Sequence, residues 1–401
     1  MNTRAHDPIK LPYPVFDADN HYYEALDAFT RHLDPRFHRG LWEWIEVKGR
    51  RYPLVGGKID RSVSNPTFDP IAKPGAMLDY YKGNPDGRPV EEFMRDRERI
   101  PAYYRNPEAR LAKMDEQGVD QNWLFPTLGG LYEEPIKKDP RNVTRLYRAF
   151  NEWLHDDWGF NFKNRIFAAP YVSLADPDDA VRTLEWALQR NARLVVMRPC
   201  APTTRDGQLS PGHPTFDPFW ARVNEAGITV ATHAANTGYT FQGYLPDDGY
   251  TAMMDASLET AWRFLHFERP IYDFCCALIL DRLFERFPNV RVVSVENGAS
   301  FLDSLFYKLQ FMPGRMPGYF KQSPLETFRE HVWISPFSED NIARAVELMG
   351  ADRVLFGSDW PHVEGLHEPL DFLEEIKNID ETSRRKIMGE NARGLNTPRL
   401  A

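Results

Sequence analysis

Residues 15–21, Val-Phe-Asp-Ala-Asp-Asn-His, join a short apolar strand to a run of polar residues, and this combination decides the fold prediction. Alternate residues of a strand share a face, so Asp17, Asp19 and His21 are predicted to point together from its carboxyl end. Burying three polar groups on one face is costly unless a partner such as a divalent cation satisfies them. A turn rich in Asp and Asn is the alternative reading of these residues.

Seven further short apolar runs follow, and segments with helical spacing lie between them. The predicted strands are Val15–Ala18, Asn122–Pro126, Ile166–Val172, Leu194–Met197, Ile228–Thr232, Val290–Val295, Val332–Ser335 and Val354–Phe356. The predicted helices are Pro107–Gln117, Asp178–Gln189, Phe219–Glu225, Leu278–Phe287 and Asn341–Met349. Eight short buried strands alternating with helices predict an α/β fold, a single (β/α)8 TIM barrel domain over residues 1–401.

Two stretches interrupt this alternation. Residues from about 28 to 105, rich in Pro, Gly, Trp, Tyr and Arg, form an insertion after strand 1, and residues from about 235 to 270 form a second excursion after strand 5. Both follow strands, at the end of a barrel where active sites are built. They either line a substrate cleft or serve as a lid or an oligomer contact. Because exposed aromatic surfaces are commonly buried between subunits, we expect a homo-oligomer.

Composition excludes several classes of partner. The chain has 49 Lys and Arg against 58 Asp and Glu, a formal net charge of −9, which argues against a nucleic-acid surface. No apolar run approaches the roughly 20 residues that span a bilayer, and the N-terminus lacks the apolar core of a signal peptide, so no membrane partner is expected. Three cysteines make no disulfide framework, which favours a reducing compartment and a cytoplasmic location. A small-molecule substrate is the partner we expect.

Strands 5 and 8 also end in polar residues. Residues 232–236 read Thr-His-Ala-Ala-Asn, and residues 356–362 read Phe-Gly-Ser-Asp-Trp-Pro-His. Taken alone, His233 is typical of a hydrogen-bonded core histidine, and Asp359 is typical of an Asx turn before a proline. Together with Asp19 and His21 they place two carboxylates and two imidazoles at the carboxyl ends of three strands.

With these residues the sequence resembles the amidohydrolase superfamily, in the amidohydrolase-related branch that includes aminocarboxymuconate semialdehyde decarboxylase and γ-resorcylate decarboxylase. Two further segments carry the resemblance, Arg-Leu-Ala-Lys-Met-Asp-Glu-Gln-Gly-Val-Asp at 110–120 and Lys-Ile-Met-Gly-Glu-Asn-Ala-Arg at 386–393. The resemblance implies that Asp19, His21, His233 and Asp359 hold one divalent metal, for which Zn, Mn or Fe suits the donors. It also makes Asp359 the predicted catalytic base.

One residue departs from the family pattern. After strand 6 the family usually has a histidine that assists catalysis, and this chain has Glu296 there. Glu296 is therefore a second candidate catalytic residue or a further metal ligand. Glu24, His266 and His362 add donors that either bind metal directly or orient the ligands. The candidate metal ligands are Asp19, His21, Glu24, His233, His266, Glu296, Asp359 and His362, enough for one ion or two.

Two residues are candidates for substrate contact. Arg198, at the end of strand 4, is placed either to pair with a substrate carboxylate or to form a structural salt bridge. Trp360 either walls the pocket or packs in the core. By resemblance, the predicted function is a metal-dependent hydrolase or carbon–carbon lyase, such as a decarboxylase, acting on a small carboxylated substrate. The alternatives are a dinuclear Fe or Mn/Fe monooxygenase on the same fold and a catalytically inactive partner subunit.

Overall fold

The computed structural model describes residues 10–238 and 258–399, and its central strands form two parallel sheets. The central strands are β1 (Phe16–Tyr22), β2 (Gln121–Pro126), β3 (Ile166–Ala168), β4 (Leu194–Met197), β5 (Thr229–His233), β6 (Arg291–Val295) and β7 (Val332–Ser335). One sheet has the order β1-β2-β3, and the other has the order β7-β6-β5-β4. β4 to β7 are buried along their whole length, as parallel strands covered on both faces require.

Shorter contacts join the edges of the two sheets. Between β3 and β4, Tyr171 forms a parallel bridge with Val196. Between β7 and β1, Val354 forms a parallel bridge with β7, and Ala18 donates its N–H to the carbonyl of Phe356 at 2.8 Å. The predicted eighth strand is therefore a segment paired by isolated bridges rather than a regular strand.

Helices separate most of the central strands. Those of eight or more residues are Pro107–Gln117, Pro140–Asp157, Pro177–Leu188, Asp217–Ala226, Leu258–His266, Arg269–Leu280, Phe301–Leu309, Pro324–His331 and Ile342–Met349. The first matches its predicted bounds because both of its ends are encoded locally. The Asn106 side chain accepts from the N–H of Ala109, and Gly118 ends the helix in the left-handed conformation.

Three predicted bounds need correction. The predicted helix Leu278–Phe287 is wrong, because the helix Arg269–Leu280 ends first and Arg282, with φ of +54°, separates it from the short helix Leu283–Arg286. β1 runs on to Tyr22 because its polar end stays paired with β2. β3 is shorter than predicted, since Pro170 has no N–H to donate to a ladder.

The predicted insertion, about 28–105, contains its own antiparallel strands. Trp42–Val47, Arg50–Val55 and Lys58–Ile59 form one small sheet, and Ile71–Ala72 pairs with Arg97–Glu98. Of the second excursion, residues 239–257 lie outside the described residues, and the helix Leu258–His266 follows them. None of the helices within the described ranges has the length and apolar character needed to cross a bilayer.

Candidate metal centre

β1 supplies two side chains to the centre through a break in its pairing with β2. Asp17 lies opposite Asn122, whereas Asn20 lies opposite Leu124, so β1 carries one extra residue between them, a β-bulge. Asp17 does not join Asp19 at the strand end, which corrects the predicted alternation. Its carboxylate instead accepts from the hydroxyl of Ser358 at 2.5 Å and from the Asn20 amide at 2.9 Å.

Four side chains from three strand ends meet at one point. They are Asp19, His21, His233 and Glu296, and one ligand atom from each lies within 4.8 Å of the others. The Asp19 Oδ1 atom is 3.3 Å from His21 Nε2 and 3.4 Å from His233 Nε2. The Glu296 Oε2 atom is 3.6 Å and 3.2 Å from the same two nitrogens. Asp19 Oδ1 and both Nε2 atoms are buried and have no hydrogen-bond partner.

These distances are those of ligands around one cation. Two donors that are each about 2.1 Å from a metal, at tetrahedral or octahedral angles, lie about 3.0–3.4 Å apart. The four distances of 3.2–3.6 Å are close to that range. Buried polar atoms without partners are costly, and a cation satisfies all of them together. The residues present therefore fit a divalent metal.

A second group of donors overlaps the first. Asp359 Oδ1 lies 3.2 Å from His21 Nε2 and 2.7 Å from His362 Nδ1. With Glu296, these residues form another set whose ligand atoms all lie within 4.8 Å of one another. On its other side, the His362 ring contacts the Thr127 hydroxyl through Nε2 at 2.9 Å. Neither Asp359 Oδ1 nor His362 Nδ1 has a hydrogen-bond partner.

Glu296 and Asp359 share an unusual backbone conformation. Each follows a buried strand segment and has φ of +54°, in the left-handed region that residues other than glycine rarely adopt. Such conformations cost of the order of 1–3 kcal/mol and cluster at functional sites. The backbone is therefore strained at Glu296 and Asp359, whose carboxylates both face the histidines.

The first donor group shifts the pKa values of its own members. Burial alone would lower the pKa of His21, but its contacts with Asp19 and Glu296 outweigh burial and raise that pKa to about 9. Burial would likewise raise the pKa of Asp19, but its contacts with His21 and His233 hold that pKa below the ordinary value. Asp19 is therefore ionised at neutral pH, as a metal ligand must be.

In the second donor group the pKa shifts have the opposite directions: the pKa of the aspartate is raised and that of the histidine is lowered. Burial, followed by the negative charge of Glu296, raises the pKa of Asp359 well above its ordinary value. Burial, followed by the neighbouring His21 ring, lowers the pKa of His362 well below its ordinary value. Without a metal, the carboxyl group of Asp359 therefore holds its proton more tightly than an exposed aspartate does.

Two predicted ligands lie outside both donor groups. Glu24 is buried, and one of its carboxylate oxygens accepts from the backbone N–H groups of Leu128 and Gly129 at 2.8 and 3.0 Å. Burial raises the pKa of Glu24 to about 7. The His266 ring stacks on Trp262, with ring centroids 4.8 Å apart. Among the described residues, neither side chain belongs to a group of converging metal donors.

The two predicted substrate contacts also lie elsewhere. Arg198 is buried, and its guanidinium contacts Glu134 at 2.7 Å and Glu133 at 3.2 Å, so the salt-bridge reading is favoured over a substrate carboxylate. Trp360 is buried under the guanidinium of Arg110, 4.8 Å from its ring centroid. It packs in the core rather than on the wall of the cavity described next.

The donor groups open into a cavity of about 200 Å³. His21, His233, Glu296 and His362 are among its lining residues. The insertion after β1 supplies much of the remaining wall, including the mainly apolar side chains Val63, Phe68, Ile71, Ala72, Tyr81 and Met94. The insertion therefore lines the cavity beside the donors, which agrees with the cleft prediction and leaves the lid and oligomer-contact alternatives open. Sequence reasoning located the segment but not the individual wall residues, because its fold shows no simple periodicity.

Three residues near the centre were not among the predicted site residues. Thr127 follows β2 directly, so the rule that polar residues at strand ends meet at one mouth would have found it. Arg110 is fully buried and donates to the carbonyl of His21 at 2.7 Å, which fixes the end of β1. Glu364 lines the cavity, and burial followed by the charge of Glu296 raises its pKa to about 7. Arg110 begins the segment 110–120 that carries the resemblance, but nothing there indicates its contact with β1, and nothing in the local sequence marks Glu364.

Residues 68–395 match the model of a family described as amidohydrolase. The chain belongs to the amidohydrolase family. It is an enzyme of the amidohydrolase-related branch that contains γ-resorcylate decarboxylase and aminocarboxymuconate semialdehyde decarboxylase, and its buried His/Asp/Glu cluster is able to hold a divalent metal.

Three relatives illustrate the range of similarity. An amidohydrolase from Mycobacterium avium subsp. paratuberculosis is 39% identical with a TM-score of 0.90, and the match covers 96% of this chain and all of that one. γ-Resorcylate decarboxylase from a Rhizobium species is 24% identical, over 72% of this chain and 86% of its own length. A dihydroxybenzoic acid decarboxylase from Polaromonas, solved with bound manganese and 2-nitroresorcinol, is 19% identical with a TM-score of 0.58, over 80% of this chain and 93% of its own.

Proposed function

We propose that this amidohydrolase is a metal-dependent decarboxylase, a carbon–carbon lyase acting on a small carboxylated molecule. The observation that carries the proposal is the convergence of Asp19, His21, His233 and Glu296, of which the last three line a mainly apolar cavity. The decarboxylases among its relatives support the choice of reaction. Hydrolysis is the competing reaction for such a centre. Neither the monooxygenase nor the inactive subunit has support among these relatives, and the intact donor set argues against the latter.

The scaffold we propose is a closed (β/α)8 barrel with insertions after strands 1 and 5. The support is the pairing at both sheet edges, from β3 to β4 and from β7 through residues 354–360 to β1. In this arrangement every metal donor lies within a parallel strand or directly after one. That is the end of the barrel at which parallel-barrel enzymes build their active sites.

We assign Asp19, His21, His233 and Glu296 as the ligands of the catalytic cation, and manganese, bound by decarboxylase neighbours, as its first candidate. Carboxylate and imidazole donors also suit Zn and Fe. Such a cation supplies Lewis-acid chemistry, because it binds and polarises an oxygen of the substrate. With Glu296 as a ligand, Asp359 is left as the group that moves a proton.

We assign the transfer of a proton and the exclusion of water to side chains of the protein. We assign to Asp359, whose Oδ1 atom lies 3.2 Å from Nε2 of the metal ligand His21, the delivery of the proton that replaces the lost carboxylate on the substrate carbon. The apolar side chains from the insertion exclude water from the cavity. Loss of carbon dioxide disperses a localised charge, so an apolar wall disfavours the substrate carboxylate more than the transition state.

The test measures carbon dioxide release by the manganese-loaded protein on a panel of hydroxylated benzoates that includes 2,6-dihydroxybenzoate and 5-carboxyvanillate. The matched controls are His233→Ala, which removes a ligand, and Asp359→Asn, which keeps shape but cannot carry the proton. We expect release by the wild type and losses of at least about 100-fold in both variants. Cleavage of ester or lactone substrates without any carbon dioxide release would establish the hydrolase instead.

A further inference from the structure

We propose that Tyr81 and Glu364 form a subsite that binds a hydroxyl group of the substrate, on the cavity wall beside the metal centre. Tyr81 comes from the insertion after β1, Glu364 comes from the segment that follows Asp359, and both line the cavity. The inference rests on the proposed function, because it takes this cavity as the place where the substrate binds.

Backbone hydrogen bonds dock the two segments onto each other. The Gly75 N–H donates to the carbonyl of His362 at 3.0 Å, and the Met77 N–H donates to the carbonyl of Val363 at 2.7 Å. The short helix Leu78–Tyr81 begins directly after these contacts. The main chain therefore fixes the end of this helix against the neighbouring segment, independently of either side chain.

The Tyr81 side chain supplies a hydrogen-bond donor. Burial, followed by the negative charges of Glu364 and Glu296, raises the pKa of Tyr81 well above its ordinary value, so the hydroxyl keeps its hydrogen. The side chain is only partly buried, and its hydroxyl makes no hydrogen bond within the described residues. Its hydrogen is therefore available to a ligand in the cavity.

The Glu364 side chain supplies the matching acceptor. It is also partly buried, and no other side chain in the described part of the protein donates to its carboxyl group. A carboxyl oxygen accepts a hydrogen bond whether or not the group is ionised, so this role does not depend on its pKa. After burial, the charge of Glu364 is the largest influence on the pKa of Tyr81, so the two groups lie near each other.

Most other polar side chains of the cavity wall are already engaged or face solvent. The Tyr23 hydroxyl donates to a backbone carbonyl at 3.0 Å, and the Asn65 amide donates to another at 2.8 Å. The Thr127 hydroxyl donates to a third at 2.8 Å. Ser64 and Arg97 are exposed. These side chains therefore compete little for a polar group of a ligand inside the cavity.

A donor beside an acceptor selects for a hydroxyl. A hydroxyl can accept from Tyr81 and donate to Glu364 at the same time. A methoxy group and a second carboxylate can only accept, so either one leaves Glu364 without a partner. Sites that hydrogen-bond a substrate hydroxyl discriminate strongly against analogues that lack it. The subsite therefore favours a substrate with a hydroxyl at the position that faces this wall.

The experiment measures the dissociation constants of the Mn²⁺-loaded full chain for 2,4- and 2,5-dihydroxybenzoate, for the 4- and 5-methoxy analogues of 2-hydroxybenzoate, and for 2-hydroxybenzoate itself. At one of the two ring positions we expect the hydroxyl compound to bind at least about 10-fold more tightly than its methoxy counterpart. Tyr81→Phe and Glu364→Leu should remove this preference, whereas Glu364→Gln, whose amide oxygen still accepts, should retain it. Tyr80→Phe is the control, because Tyr80 lies on the same helix and is not among the lining residues.

The outcomes separate this proposal from the proposed function. Equal affinity for hydroxyl and methoxy compounds at both positions, or no binding of any of these benzoates, overturns the subsite. A preference that survives in both Tyr81→Phe and Glu364→Leu overturns it too. Bound Mn²⁺ should stay at the wild-type level in every variant, since none removes an assigned ligand, and a loss of Mn²⁺ would contradict the subsite. The carbon dioxide assay above decides the proposed function by itself.

Discussion

At the scale of single residues, the centre depends on protonation and on backbone strain. Asp19, His21 and His233 present unpartnered ligand atoms to one point, and the pKa values of Asp19 and His21 are shifted by each other's charge. Metal binding at neutral pH must therefore displace a proton from His21, whereas Asp19 is already ionised.

Metal loading is expected to release protons in a pH-dependent way. The pKa of His21 in the metal-free protein is about 9, so its ring carries a proton at about pH 7 that a metal must displace from Nε2. Release should reach at least about one proton per chain near neutral pH and diminish above about pH 9, where the ring is already neutral. A pH indicator in weak buffer measures it. Equal release at about pH 7 and pH 10 would contradict His21 as a ligand.

The strained conformation of Glu296 gives a second prediction. Alanine at φ of +54° keeps a steric cost of about 1–2 kcal/mol that glycine avoids. In the metal-free protein, Glu296→Gly should therefore unfold at a higher urea concentration than Glu296→Ala, by about 1 kcal/mol in free energy. The matched control is Asp19, in extended β1, where the glycine variant should be less stable than the alanine variant. The same order at both positions would contradict the strain.

At the scale of elements, the centre depends on how closely residues 354–360 approach β1. Ser358 and Asp359 both donate their N–H groups to the carbonyl of Asp19, at 3.2 and 2.8 Å. Gly357 makes this approach possible, because a Cβ atom there would lie 2.5 Å from the Cβ of Asp19 and would also collide with the Ser335 hydroxyl. The spacing between Asp19 and Asp359 is thus set by a missing side chain.

Gly357→Ala should therefore push Asp19 away from the histidines. We expect a loss of about 1–3 kcal/mol in the free energy of unfolding, as for other overpacked sites, together with weaker metal binding. Gly394→Ala is the control, because a Cβ atom there meets nothing within 4 Å. Thermal unfolding and metal titration of both variants check the prediction. A Gly357→Ala protein with wild-type metal affinity would show that the spacing is not critical.

At the scale of the whole molecule, the sequence predicted the features that follow from the burial of parallel strands. It did not predict the features that arise from contacts between distant segments. The apolar runs at β4 and β7 match their predicted bounds because burial on both faces demands continuous apolar residues. The bulge in β1 and the left-handed Glu296 and Asp359 were not predictable, since they arise where separate segments meet. For the same reason Arg198, a surface-typical residue, was not foreseen as the partner of Glu133 and Glu134.

Association between copies is a further expectation at this scale. Leu265 is 80% exposed, and Tyr307 is 65% exposed, on helices that lie outside the central sheets. Large exposed apolar side chains are commonly covered in an assembly. Light scattering should give a mass that is a multiple of the chain's 46.5 kDa. The variant Leu265→Glu tests the exposed helix, and a monomeric wild type would contradict the expectation.

Anomalous scattering from crystals of the Mn²⁺-loaded protein tests directly whether side chains from separate strands converge on a cation. We expect a strong peak about 2.0–2.2 Å from Asp19 Oδ1, His21 Nε2 and His233 Nε2, with Glu296 in the same shell. A fully loaded crystal whose peak lies away from these atoms, or in which His233 does not contact the ion, would contradict the metal centre and the function proposed from it.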